Sequence, residues 1–130
     1  AEKTLRRSLK IKPGQAPVMM NLARLMMARK AFDEAAKLLW TGAKQAPEQP
    51  AMWTLLALAR LRAGQAPGAA EAALKATKLA PKSAQAFFLL GAAYDAQGKL
   101  AEARTAFEQA HVLNPQMKEA SAWLKAHPGK

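Results

Sequence analysis

The sequence predicts an all-α solenoid, a stack of amphipathic helix pairs, and three observations predict it. Pro13, Pro47, Pro81 and Pro115 stand at a constant interval, since 47−13, 81−47 and 115−81 all equal 34. A period of this size marks a stacked repeat array. Between the prolines, apolar residues recur at helical offsets: Phe87, Leu90, Gly91 and Tyr94 share one face, as a 3.6-residue period requires. The composition is 51% hydrophobic but only 6% aromatic, with much alanine, so the helices should pack closely.

In chain order, residues 1–12 read as a lone second helix ended by Pro13-Gly14, because the residue before a proline avoids helical geometry. Its Leu5, Ser8 and Leu9 match the face that Phe107, Ala110 and His111 present. With no first helix before it, the chain reads as a fragment of a longer array. The first full unit spans 16–47. Pro17 suits a first helical position, where its missing N–H costs nothing. Met19, Leu22, Ala23 and Met26 form the inward stripe of its first helix, and Ala35, Leu39 and Gly42 that of its second. Asp33 is expected to cap the second helix, with Glu34 in its first turn. Gly42 inside a helix costs about 1 kcal/mol against Ala, which implies a close helix–helix approach there.

The second unit spans 50–81, with Pro50 at a helix start. Trp53, Leu56, Ala57 and Arg60 face inward, Gly64-Gln65-Ala66-Pro67-Gly68 is the expected turn, and Ala69, Ala73 and Ala76 complete the second helix. Arg60 is expected to pack its stem and hold its head in water. The third unit spans 84–115, with Ser83 as N-cap, a turn at Gln97-Gly98-Lys99, and Ala103, Phe107 and Ala110 inward on its second helix. Residues 117–127 form a capping helix whose Ala120, Trp123 and Leu124 cover the end of the stack; such caps keep solenoids soluble.

The third unit resembles the tetratricopeptide repeat, through Phe87-x-x-Leu90-Gly91-x-x-Tyr94, Ala103-x-x-x-Phe107, Ala110 and Pro115. The second matches at Trp53, Leu56, Ala57, Gly64, Ala69, Ala76 and Pro81 and departs at Arg60 and Ala73. The first matches at Leu22, Ala23, Ala35, Leu39, Gly42 and Pro47 and departs at Met19, Met26 and Lys30. The resemblance implies antiparallel pairs wound into a right-handed superhelix, first helices lining a concave groove, and a protein-interaction role without catalysis. It places Met20, Asn21, Arg24 and Met27 in the groove, followed by Thr54, Leu55, Leu58, Leu61 and Arg62. Gln85, Phe88, Leu89, Ala92 and Asp95 complete the groove set. Met20 and Arg24 stand where the family's clamp on a C-terminal carboxylate needs Lys and Asn, so that grip is not expected. An amphipathic helix or an apolar extended segment suits this groove better. The alternative is that Leu55, Leu58, Leu61, Phe88 and Leu89 serve only intramolecular packing.

The net charge is +11, and residues 1–30 carry eight Lys/Arg against Glu2, giving 8−1 = +7. Lys3, Arg6, Arg7, Lys10, Lys12, Arg29 and Lys30 form a basic patch. The second functional reading follows from it: an electrostatic binder of an anionic polymer or surface through the basic N-terminal half. Nucleic acid is disfavoured, because the segment from Lys3 to Lys12 holds no aromatic on which a base could stack. A third reading is self-association through the N-terminal face. Without cysteine there is neither a disulfide nor a thiolate site. His111 and His127 lack partners at ligand spacing, no phosphate loop or nucleophile motif is present, and no cofactor is expected. No apolar run reaches the roughly 20 residues that cross a bilayer. The Ala-rich, Cys-free composition reads as bacterial, and the family resemblance implies an assembly or export protein, the compartment staying open between cytoplasm and cell envelope.

Overall fold

A computed structural model of the chain describes residues 16–45 and 47–127. The helix expected over residues 1–12 lies outside the described residues. Among the described residues there are seven helices: α1 Ala16–Ala28, α2 Phe32–Gln45, α3 Pro50–Arg62, α4 Ala66–Leu79, α5 Ala84–Ala96, α6 Leu100–Leu113 and α7 Lys118–Ala126. Each packs on the next, and the first helices also meet one period apart, α1 on α3 and α3 on α5. The second helices do not pack on one another to that extent. The stack is therefore tight along the first helices and splayed along the second.

The helix ends follow from sequence. Pro50 opens α3 after Gln49 in extended geometry, where its fixed φ is already helical. Ser83 caps α5, its Oγ accepting from the Ala86 amide at 3.2 Å. Two boundaries differ from the sequence reading. α2 begins at Phe32, so Asp33 sits in its first turn rather than before it, where its Oδ1 accepts from Gln65 Nε2 at 3.0 Å. α4 begins at Ala66, so the second turn is only Ala63-Gly64-Gln65 and Pro67 and Gly68 are helical; Pro67 needs no amide partner in a first turn.

All three intra-pair turns share one geometry. Ala31, Gln65 and Lys99 donate their amides to the carbonyls of Met26, Arg60 and Tyr94 at 2.8, 2.8 and 2.9 Å. The residue before each has positive φ: Lys30 at 65°, Gly64 at 82° and Gly98 at 76°. This six-to-one bond with a left-handed residue is the Schellman ending, which satisfies carbonyls the helix leaves open.

The core runs through both helix layers, with Leu22, Leu39, Met52 and Leu56 as its largest fully buried side chains. Alanines fill the close crossings: Ala35, Ala57, Ala73, Ala76 and Ala93 are buried. Gly42 marks the tightest approach, since a Cβ there would lie 2.8 Å from Met52 Cε and 2.9 Å from Met19 Sδ. Gly91 faces the Phe107 ring in the same way, at 3.0 Å. A second cluster of Ala103, Phe107, Ala110 and Ala120 closes the C-terminal end, with Trp123 of α7 tilted on Phe107 at 4.6 Å. The end of the stack is thus sealed by α7.

Candidate functional site

The open side of α1, α3 and α5 holds a broad recess among the described residues. Arg24, Met27, Lys30, Phe32, Leu55, Leu58, Arg62 and Gln85 line a cleft of about 550 Å³ between α1 and α3. A second recess of about 300 Å³ shares Arg24, Leu55, Leu58 and Gln85 and adds Pro50, Ala51, Thr54 and Ser83. The floor of the 550 Å³ cleft is apolar: Met27, Leu55 and Leu58 are half-buried and rest on the core. Its rim is cationic, with Arg24, Lys30 and Arg62 exposed. No Asp or Glu lines either recess.

These residues divide the work of holding a ligand. An apolar side chain laid on the floor gains about 0.8 kcal/mol for each CH₂ removed from water. Guanidinium forks at the rim suit planar carboxylates, which they meet with two parallel N–H bonds. Arg24 Nη1 donates to Asn21 Oδ1 at 3.5 Å, a long bond that leaves the guanidinium free to turn toward a partner. Thr54 spends its hydroxyl on its own helix, donating to the Pro50 carbonyl at 2.8 Å.

The other residues expected in the groove divide three ways. Met20 and Leu61 are half-buried against the core, Asn21 is exposed, and Asp95 is half-buried. Phe88 and Ala92 belong to the C-terminal cluster, Phe88 standing 5.5 Å from the Phe107 ring. Leu89 is a correction: at 5% exposed it is core. Its equivalent one period earlier, Leu55, is half-buried, and α5 meets α3 over more residues than α3 meets α1. Of the basic patch, Arg29 and Lys30 are exposed, and Lys3, Arg6, Arg7, Lys10 and Lys12 lie outside the described residues. Phe32 was missed, because a residue at the start of a second helix carries no groove signal in a period.

Arg60 also differs from expectation. Its head is docked: Nη1 donates to the Gly68 carbonyl at 3.0 Å, and Cζ lies 5.1 Å from the centre of the Trp40 ring. Gly68 makes the room, since a Cβ there would come within 3.1 Å of Arg60 Cδ. Burial lowers the pKa of Arg60 from its ordinary value, and the Glu71 carboxylate opposes that shift. Desolvation of this kind is tolerated because the guanidinium is always charged and stacks well on an aromatic face.

No helix among the described residues is long and apolar enough to cross a membrane. Two family models, both described as tetratricopeptide repeat, match residues 1–59 and 54–118. No curated protein matches the chain. Among solved structures, the crystal structure of MamA superposes with a TM-score of 0.86 at 21% identity, over 92% of this chain and 70% of that one. The first TPR domain of human RPAP3 superposes with a TM-score of 0.82 at 27% identity, over 88% of this chain and 90% of that one. The first TPR of Spaghetti (RPAP3) bound to the HSP90 peptide SRMEEVD gives 0.82 at 27%, over 86% and 89%.

Proposed function

Because the chain belongs to the tetratricopeptide repeat family, we propose that it is a non-catalytic scaffold that holds another protein. The partner lays a helix or an apolar segment against α1, α3 and α5. One observation carries this reading: the recess between α1 and α3 joins a floor of Met27, Leu55 and Leu58 to a rim of Arg24, Lys30 and Arg62 with no carboxylate. That pairing favours a segment in which Leu, Ile or Phe side chains alternate with Asp or Glu. The HSP90 peptide solved on a TPR domain of RPAP3 supports a peptide as the class of occupant. Helix-in-groove recognition reads such anchors at offsets of three, four and seven. The wider setting we assign is a bacterial assembly or export protein: the Ala-rich, Cys-free composition reads as bacterial, and assembly or export is what resemblance to the repeat family implies.

Selection of displayed peptides on the wild-type chain tests the reading. The expected winners pair apolar and acidic residues, lose binding to Leu58→Glu, and keep much of it at high salt, where apolar contact persists. Winners that ignore Leu58 and vanish with salt would replace this reading by the electrostatic binder, since charge-only contacts weaken steeply with salt.

A further inference from the structure

The splay of the second helices opens another cleft, between α2 and α4 and apart from the first-helix recess, with which it shares no lining residue. It is lined by Trp40 of α2, Trp53 and Arg60 of α3, and Glu71, Leu74, Lys75 and Lys78 of α4, with a volume of about 300 Å³. Its walls are built rather than accidental. Trp40 and Trp53 meet edge to face at 6.1 Å and 69°. Arg60 is pinned on Trp40 by its bond to the Gly68 carbonyl. Lys44 Nζ stands 5.3 Å from the Trp40 ring centre, and Lys75 Nζ 5.9 Å from that of Trp53. Trp40 and Leu74 are nonetheless 39% and 40% exposed, large apolar groups left in water.

The charge is specific to this cleft. The equivalent hollow one period on is lined by Phe87, Leu90, Tyr94, Glu102, Thr105 and Gln109, without a cation. Tyr94 stands for Arg60 there and Gln109 for Lys75, since 60+34 = 94 and 75+34 = 109. Among the described residues, Lys44, Lys75 and Lys78 make no ion pair. Cations outnumber the one lining carboxylate, Glu71, around this exposed apolar surface, and the excess calls for a ligand with the complementary pattern. A second copy does not supply it, because each chain carries +11. A base or sugar ring fits poorly, because Lys44 and Arg60 already sit against Trp40, and Trp53 is only 7% exposed.

We propose that this cleft between α2 and α4 is a second docking site, taking an acidic segment of a partner protein. One apolar side chain of the segment sits between Trp40 and Leu74, and its flanking carboxylates meet Lys44, Lys75 and Lys78. The chain then engages partners on both faces of the helical stack. The site stands independently of the first-helix recess, although both would take acidic, apolar sequences, so the test must close one to read the other.

The probe is a short fluorescein-labelled peptide of alternating Glu and Leu, titrated by fluorescence polarisation against the Leu58→Glu chain. Arg24→Glu/Arg62→Glu serves as a second way to close the first recess. The expected result is retained binding in both backgrounds and roughly tenfold weaker binding when Lys75→Glu and Lys78→Glu are added, given that each exposed ion pair contributes up to about 1 kcal/mol. Leu74→Ser weakens it as well, and a peptide with Gln for Glu binds no better than the reversed-charge variant. The proposal is overturned if Lys75→Glu/Lys78→Glu leaves affinity unchanged, or if closing the first recess alone abolishes binding. It is also overturned if oligo-dT or dextran sulfate binds this cleft and displaces the peptide at equal charge, which would make it a polyanion site. Binding that is unaffected by closing the first recess but lost with the two lysines leaves the first-helix reading to fail separately from this one.

Discussion

Replacing Lys30 with glycine should make the fold more stable although it deletes a long side chain. Lys30 occupies the left-handed position of the first helix pair at φ 65°, and the residues one and two periods on are Gly64 and Gly98 at 82° and 76°. The three turns make the same pair of amide bonds: Lys30, Gly64 and Gly98 donate to the carbonyls of Met27, Leu61 and Asp95 at 2.9, 3.2 and 3.0 Å. The local geometry is thus held constant while the residue type changes. A side chain in this region costs about 1–2 kcal/mol. Glycine removes that strain but returns roughly 0.4–1 kcal/mol through the greater freedom of its unfolded chain. The net gain is on the order of 0.5–1 kcal/mol, which for a chain of this size raises the melting temperature by roughly 2–5 °C. Urea and thermal unfolding followed by circular dichroism would measure it. Lys30→Ala separates conformation from charge, because it drops the cation and keeps the strain, and it should leave stability nearly where it was. An unchanged or lowered midpoint for Lys30→Gly, or an equal gain for Lys30→Ala, would refute the argument from backbone conformation.

Three further outcomes follow from packing and capping. Gly91→Ala drives a Cβ to 3.0 Å from the Phe107 ring, and should cost about 1–3 kcal/mol in a denaturant titration. Combined with Phe107→Ala it recreates the pair that Ala57 and Ala73 form one period earlier, so the double variant should lose less than the sum of the singles in a double-mutant cycle. Ser83→Ala removes the only side-chain cap among the helices with a described cap, and should cost about 1 kcal/mol of stability. Arg60→Ala frees the Trp40 ring of its docked guanidinium, and its tryptophan emission should shift to longer wavelength with little loss of helix content.

The sequence carried the repetitive part of this structure because repetition is local. A 34-residue spacing, helical offsets and proline positions each act within one pair of helices, and the core stripes that they imply, such as Leu22, Leu39, Leu56 and Ala76, are buried. What stayed illegible depends on how neighbouring pairs settle against each other. Leu55 and Leu89 occupy equivalent positions, yet one lines a recess and the other is core, and α5 meets α3 over more residues than α3 meets α1. Arg60 gave a signal, being an Arg where the resemblance leads one to expect Tyr, but its partners Trp40 and Gly68 lie on two different helices. The departures from the repeat pattern at Lys30 and Arg60 were the useful clues, and each proves to line a surface cleft.

The central claim is that a partner segment lies on the face of α1, α3 and α5, and methyl NMR of the 14.0 kDa chain tests it most directly. A selected peptide is added to labelled protein and the Leu and Met methyl signals are followed to saturation. The account predicts the largest shifts at Met27, Leu55 and Leu58, with Leu39 and Leu56 in the core nearly still. Shifts confined to Leu74, Leu79 or Val112, with Met27, Leu55 and Leu58 unmoved, would contradict it.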